Sequence, residues 1–221
     1  MLTQTEENYL KAILHLSLNE AKKAEIGTNE LAAHLGVKPS SVNAMIKNLR
    51  AKSLVDFERY GKITLTAEGQ SVAMRVLRKH RLWETFLHDK LDFSWDEVHE
   101  VAEQMEHIQS PKLIEKIDKF LGYPTFDPHG DPIPDKDGRL PKMHAISLTE
   151  IEPGTSCRVH AVRDSSSLFL QHLERLSIRL EGTIKVVEKI AFDGSMVIEV
   201  EGKPTSVSQK ITDNILVVEN R

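Results

Sequence analysis

"TNELAAHLGVKPSSVNAMIKNLRAKSLV", Thr28 to Val55, reads as two short helices around a tight turn. Thr28 has the hydroxyl of an N-cap, with Glu30 in the opening turn. Gly36 supplies a residue free to take positive φ at the stop, and Pro39 with Ser40 opens the second helix. Leu31, Ala32, Leu35, Val42, Ile46 and Leu49 recur at helical spacing and bury one helix against the other. This is a helix-turn-helix pattern. Upstream, Tyr9, Leu10, Ile13, Leu14 and Leu16 form the apolar stripe of a preceding helix. Downstream, "LVDFERYGKITLTAEG" alternates apolar and polar residues around Tyr60-Gly61, as a two-stranded wing would. A plain helical bundle would need only the apolar positions. Thr28, Ser40, Ser41, Asn43, Ala44, Lys47, Arg59 and Lys62 add the short polar and basic chemistry of groove docking, and are the candidate DNA contacts.

Charge divides along the chain. Met1 to Leu82 holds 13 Lys+Arg against 8 Asp+Glu, net +5 within a total of −4, so the remainder is net −9. A basic first third suits a polyanion, and an acidic remainder suits cation sites or a solvated surface. No apolar run approaches the roughly 20 residues that a membrane span needs, and the N-terminus lacks the basic start and apolar stretch of a signal peptide. The protein is therefore expected to be cytoplasmic. The single cysteine, Cys157, excludes an intrachain disulfide and a multi-cysteine zinc site.

Beyond the wing, Thr66 opens a helix running to about Lys90, and Ser94 with Glu97 forms a capping box for the next. In that next helix, "VHEVAEQMEHIQS", Val98 to Ser110, places His99, Glu103, Glu106 and His107 within an arc of about 100°. Converging carboxylates repel unless something positive joins them. On the preceding helix His80 and Glu84 are one turn apart and share a face. The Pro-rich stretch "FDPHGDPIP" adds Asp127 and His129. One such pair taken alone reads more readily as a surface salt link, but three in one acidic segment point to a bound cation.

Ser110-Pro111 starts a third helix ending near Gly122. Five prolines between Pro124 and Pro141 mark a linker or ordered loop. The period then changes to that of strands: "TSCRVHAV", "GTIKVVEKI", "SMVIEVEG" and "NILVVEN" are separated by turn residues, with one helix around Ser166 to Leu176. The expected fold is mainly α with a small β-barrel as the natural closure of these strands.

The order of "ENYLKAI", the winged helix-turn-helix, "RKHRLWE", "VHEVAEQMEHIQS", "FDPHGDPIP" and a β-rich tail with "FDGS" resembles the diphtheria toxin repressor family of metal-dependent regulators. It is most similar to manganese-responsive members that keep a C-terminal SH3-like, FeoA-type domain. The resemblance implies a winged helix-turn-helix over 1–70, a helical metal-binding and dimerisation domain over 71–123, a Pro-rich linker over 124–146 and an SH3-like domain over 147–221. It implies a primary metal site on Asn8, Glu103, Glu106 and His107, with Asp127 completing it. An ancillary site falls on His80, Glu84 and His99, joined by His129 and a tail carboxylate, Asp164. Asn8 stands where manganese-type members often have aspartate and iron-type members methionine, and Asp127 where cysteine is common. Lys11 replaces a glutamate that is a ligand in some shorter manganese-responsive relatives, so their two-metal geometry does not transfer.

The expected function is a non-enzymatic, metal-dependent transcriptional regulator, a repressor. It would be activated by Mn²⁺, with Fe²⁺ as the alternative, and bind a palindromic double-stranded DNA operator as a homodimer with no membrane role. Trp83, Phe86, Leu87, Phe93 and Trp95 are candidates for the dimer seam or for an ordinary core. An iron-dependent repressor of the same family and a metal-independent winged-helix protein are the alternatives. A metallohydrolase would need a nucleophile, base or substrate pocket that no separate motif declares.

Overall fold

Thr3 and Glu6 close the start of the first helix reciprocally: the Thr3 hydroxyl accepts from the Glu6 N–H at 3.2 Å and the Glu6 carboxylate from the Thr3 N–H at 2.9 Å. The computed structural model describes residues 2–19, 26–57, 62–142 and 144–219, which fall into two units. The first unit comprises residues 1–80, 103–111 and 134–139; the second comprises 81–102, 112–133 and 140–221.

In the first unit, α1 (Gln4–Asn19) buries Tyr9, Leu10, Ala12, Ile13 and Leu14. β1 (Ile26–Gly27) leads directly into α2 (Thr28–Leu35). The cap of α2 is Gly27, whose N–H donates to the Glu30 carboxylate at 3.3 Å, so Thr28 becomes the first helical residue. Gly36 stops α2 in the left-handed region at φ 64°, where a side chain would be strained. Pro39 sits at the first turn of α3 (Pro39–Ala51), which buries Val42, Ile46 and Leu49. β2 (Val55–Phe57) and β3 (Lys62–Leu65) complete an antiparallel sheet ordered β1-β3-β2. The wing's Arg59 and the Tyr60-Gly61 turn lie outside the described residues. The Thr66 hydroxyl accepts from Gly69 N–H at 3.0 Å and starts α4 (Ala67–Leu91). A Cβ on Gly69 would meet the Leu54 carbonyl at 1.8 Å, so this first turn can pack on the wing only with glycine.

α5 (Val98–Met105) and α6 (Pro111–Phe120) follow. Because α5 ends at Met105, Glu106 and His107 occupy the turn after it rather than a continued helical face. Ser94 and Glu97 bond as expected but form the turn before α5. Among the described residues no helix is long and apolar enough to cross a membrane.

The C-terminal part of the second unit corrects the expected barrel. β4 (Ile146–Ser147), β5 (Ser156–Val162), β6 (Thr183–Lys189), β7 (Met196–Val200), β8 (Lys203–Val207) and β9 (Ile215–Glu219) form one antiparallel sheet ordered β4-β9-β5-β6-β7-β8. It is open, with β4 and β8 as its edges. β4 pairs over only two residues, and β8 carries Pro204, a residue confined in sheets to edges and bulges. The apolar face does not need closure, because α7 (Ser167–Arg175) covers it with Leu170 and Leu173. Leu148 and Ile151, from a 3₁₀ turn over Leu148–Glu150 and the residue after it, fill the same core, and α8 (Gln209–Asp213) connects β8 to β9.

Candidate metal centre

Two clusters of carboxylates and imidazoles emerge, one in each unit. In the first, Glu106 is fully buried. Its Oε2 lies 2.7 Å from His80 Nδ1 on α4 and accepts from Lys11 Nζ on α1, also at 2.7 Å. Burial pushes the Glu106 carboxyl up, but His80 and Lys11 more than offset this and hold it below its ordinary value. The other oxygen, Oε1, is buried with no hydrogen-bond donor and faces His107 Nε2 at 3.6 Å. His107 is held from its far side, since Nδ1 lies 2.7 Å from Glu7 Oε2 on α1, and Glu7 Oε1 accepts from Gln109 at 3.0 Å. In a neutral ring whose Nδ1–H donates to Glu7, Nε2 presents a lone pair to a carboxylate oxygen. Two acceptors face each other, which is the arrangement a cation completes. Glu103, half exposed, reaches Lys11 at 3.5 Å. Lys79 Nζ lies 3.9 Å from Glu7, and burial lowers its pKa while Glu7 and Glu106 oppose that shift.

The second cluster centres on Glu84 of α4, 3% exposed. Its Oε1 lies 3.1 Å from His99 Nδ1 on α5 and 3.9 Å from His129 Nδ1. Glu84, Asp127 and His129, all buried, offer ligand atoms within 4.8 Å of one another, and His80 stands one turn before Glu84 on α4. The loop holding Asp127 and His129 is pinned to β5. Val162 N–H donates to the His129 carbonyl at 3.0 Å, and Gly130, at φ 84°, passes so close that a Cβ would meet His160 O at 2.1 Å. Asp127 Oδ1 accepts from the N–H groups of His129 and Asp131 at 2.8 and 3.0 Å. His129 Nε2 lies 2.9 Å from the Trp95 carbonyl, and the two rings stack at 6.0 Å. With Nε2–H donating there, Nδ1 again turns a lone pair toward carboxylates. Burial above all, then the charges of Glu84 and Asp131, raises Asp127 well above the ordinary carboxylate range, with Arg81 opposing. Oxygen and nitrogen donors without sulfur fit a divalent cation of the Mn²⁺ or Fe²⁺ kind.

The structure thus sets Glu106 against His107, with half-exposed Glu103 joined to Glu106 through Lys11, and in the second unit it places Glu84 beside His99 on one side and beside Asp127 and His129 on the other. Asn8 is exposed on α1 while its neighbour Glu7 is buried. Asp164 lies in neither cluster; its carboxylate accepts from Ser166 N–H at 2.9 Å ahead of α7. Sequence reasoning missed Glu7 and Glu6. The signal was present: Glu6 and Glu7 share α1's buried stripe with Leu10, Ile13 and Leu14 at helical spacing, and position 8 falls off it. Trp83 and Leu87, candidates for a seam, are buried within the unit, and Trp95 packs on the sheet core.

The second helix of the helix-turn-helix has two distinct faces. Ser40, Ser41, Asn43, Ala44 and Lys47 are all exposed, opposite buried Val42, Ile46 and Leu49. Lys62, at the start of β3, is exposed as well, and Thr28 is half-buried.

Three family models match in succession: the iron dependent repressor N-terminal DNA binding domain over residues 1–63, the iron dependent repressor metal binding and dimerisation domain over 66–135, and the FeoA domain over 146–219. The chain is similar to a solved manganese-dependent transcriptional repressor in complex with manganese, at 33% identity and TM-score 0.85, over 97% of this chain and 100% of that one. It is 30% identical to the manganese regulator SloR, over 97% of this chain and 98% of that one, with TM-score 0.76. The iron-dependent repressor IdeR of Mycobacterium leprae is 29% identical over 72% of this chain and 70% of its own length. With these models spanning its three parts and a full-length relative at 33% identity, the chain belongs to the diphtheria toxin repressor family, metal-dependent DNA-binding transcriptional regulators rather than enzymes, in the form that carries a C-terminal FeoA domain.

Proposed function

We propose that this protein is a manganese-responsive repressor that binds a palindromic operator as a homodimer. The observation that carries the reading is the placement of α1. Its Glu7 holds His107 of the first cluster, while the adjacent Glu6 accepts from Asn48 of α3 at 2.7 Å and from Lys52, the residue that ends α3, at 2.6 Å. One rigid helix therefore touches both the cation ligands and the recognition helix.

A divalent cation supplies the positive charge on which the carboxylates converge. Glu106 Oε1, His107 Nε2 and Glu103 would hold it in the first cluster; Glu84, Asp127 and His129, with His99, would hold it in the second. Glu7 orients the His107 ring and selects its tautomer, as carboxylates behind ligating histidines do. Through Glu6, the position that α1 takes against this cluster also sets the pose of α3. A cation then favours DNA binding only to the extent that it prefers the DNA-competent arrangement.

Asn43 and Ala44 would read base edges, and Ser40, Ser41, Lys47 and Lys62 would hold phosphate. Dimerisation through α6 would present two copies of α3 to the two halves of a palindrome. Leu113, Phe120 and Tyr123 are exposed there, with Phe86 behind Phe120 at 6.3 Å between ring centroids.

Iron is the second reading, because the same oxygen and nitrogen donors bind Fe²⁺ more tightly than Mn²⁺ in the general affinity order. DNA selected from random sequence should be retained with Mn²⁺ and released by chelator. Repeating the binding with Fe²⁺, Co²⁺ and Zn²⁺ in turn ranks the effectors. Binding that is indifferent to every metal and to chelation would contradict the proposal.

A further inference from the structure

In the first cluster, one cation is already part of the chain. Lys11 lies one turn after Glu7 on α1. Its Nζ donates at 2.7 Å to Glu106, the most buried carboxylate of the group, and reaches Glu103 at 3.5 Å; the Lys11 side chain is only 15% exposed. The two carboxylates that would take up a divalent ion beside His107 are thus the two that Lys11 bridges. We propose that Lys11 is a tethered competitor for the metal, its ammonium closing the cluster in the metal-free protein and setting how much metal is needed to open it. This rests on the reading of Glu103, Glu106 and His107 as ligands.

The charges support the assignment. Glu7, Glu103 and Glu106 bring three negative charges, and Lys11 with Lys79 brings two positive ones before either histidine is protonated. A buried carboxylate without a partner is costly, so Lys11 stabilises the metal-free form. A divalent ion and an ammonium drawn to the same carboxylates repel each other, so the same contact opposes metal entry. If the Lys11-closed form outweighs the open one by about ten to one, apparent metal affinity falls about tenfold, because only the open fraction binds. Lysine suits this role because a compact charge on a flexible stem can withdraw toward solvent without moving the helix that carries it.

The proposal is tested by Mn²⁺ binding to the full chain without DNA, followed by the electron paramagnetic resonance signal of free Mn²⁺, together with thermal melts. The proteins are the parent, Lys11→Met, Lys11→Gln and Glu106→Gln. Both Lys11 variants should bind the parental number of ions, with one class of site tightened about tenfold. Their metal-free melting temperatures should fall, and Mn²⁺ should raise them by more than it raises the parent's. Parental isotherms for both Lys11 variants, while Glu106→Gln loses one equivalent, would overturn the competitor role and leave the ligand reading standing. If Glu106→Gln also binds as the parent does, the ligand reading fails. Weakened Mn²⁺ binding in a folded Lys11 variant would likewise overturn the proposal, since Lys11 would then support the metal rather than oppose it.

Discussion

Glu6 joins two helices through one carboxylate. Its Oε2 caps α1 through Thr3, and its Oε1 accepts from Asn48 of α3 and from Lys52, the residue that ends α3. It touches none of the cation ligands, so Glu6→Gln should leave Mn²⁺ affinity unchanged while the gain in operator affinity on adding Mn²⁺ falls about tenfold, a usual size for coupling between sites. Parallel metal-binding and DNA-binding titrations check this. Asp96 offers a separate test in the second unit. Gln171 first, then Ser94 and Ser167, hold its carboxyl below the ordinary value of 3.8 against the opposing effect of burial, and both Gln171 and Ser167 lie on α7. A carboxyl depressed by folding adds stability above its unfolded value and loses that contribution as pH falls through its folded one. The unfolding free energy of Asp96→Asn should therefore depend less steeply on pH below 3.8 than the parent's, measured by denaturant melts. At this scale the sequence was only partly readable. The types Glu and His announced a cation, but the α1 residue facing His107 depends on helix phase, and a single position separates Asn8 from Glu7.

Among the elements, α3 was legible because its start, stop and buried face are all local: Pro39 in the first turn, and Val42, Ile46 and Leu49 at helical spacing. Its exposed face carries a prediction. Asn43→Ala should change base preference, whereas Lys47→Ala should weaken binding across sequences and make its salt dependence shallower by about one unit. Competition assays with single-base operator variants, repeated at several salt concentrations, distinguish the two. α5 was read too long. The periodicity of "VHEVAEQMEHI" continues through Glu106 and His107, yet the helix ends at Met105, so these two stand in the turn after it rather than on the helical face that carries His99. β8 escaped notice because only Val207 of its five residues is buried, leaving no alternation to read. The barrel failed for a related reason. Strand patterns report which faces are apolar, and they cannot say whether a helix such as α7 or another strand will cover them.

For the whole molecule, the charge division between a basic first third and an acidic remainder was visible from composition alone. The proposed pairing of copies was not, since Trp83 and Leu87 are used inside the unit, and Phe120 and Tyr123, two of the exposed aromatics, fall on and just after α6. Phe120→Glu would put a charge on that exposed face, where Lys90 sits 5.7 Å from the ring. It should shift the protein toward monomer in sedimentation velocity and weaken binding to a full palindrome far more than to a half-site. The central claim is that a cation gathered by Glu106 and His107 acts on DNA binding through α1. The most direct measurement is operator binding against increasing Mn²⁺ for the parent and for His107→Ala, with both proteins shown to be folded by circular dichroism. The parent should gain about one to two orders of magnitude in affinity, and His107→Ala should gain almost none even at saturating Mn²⁺; superimposable titrations would contradict the account.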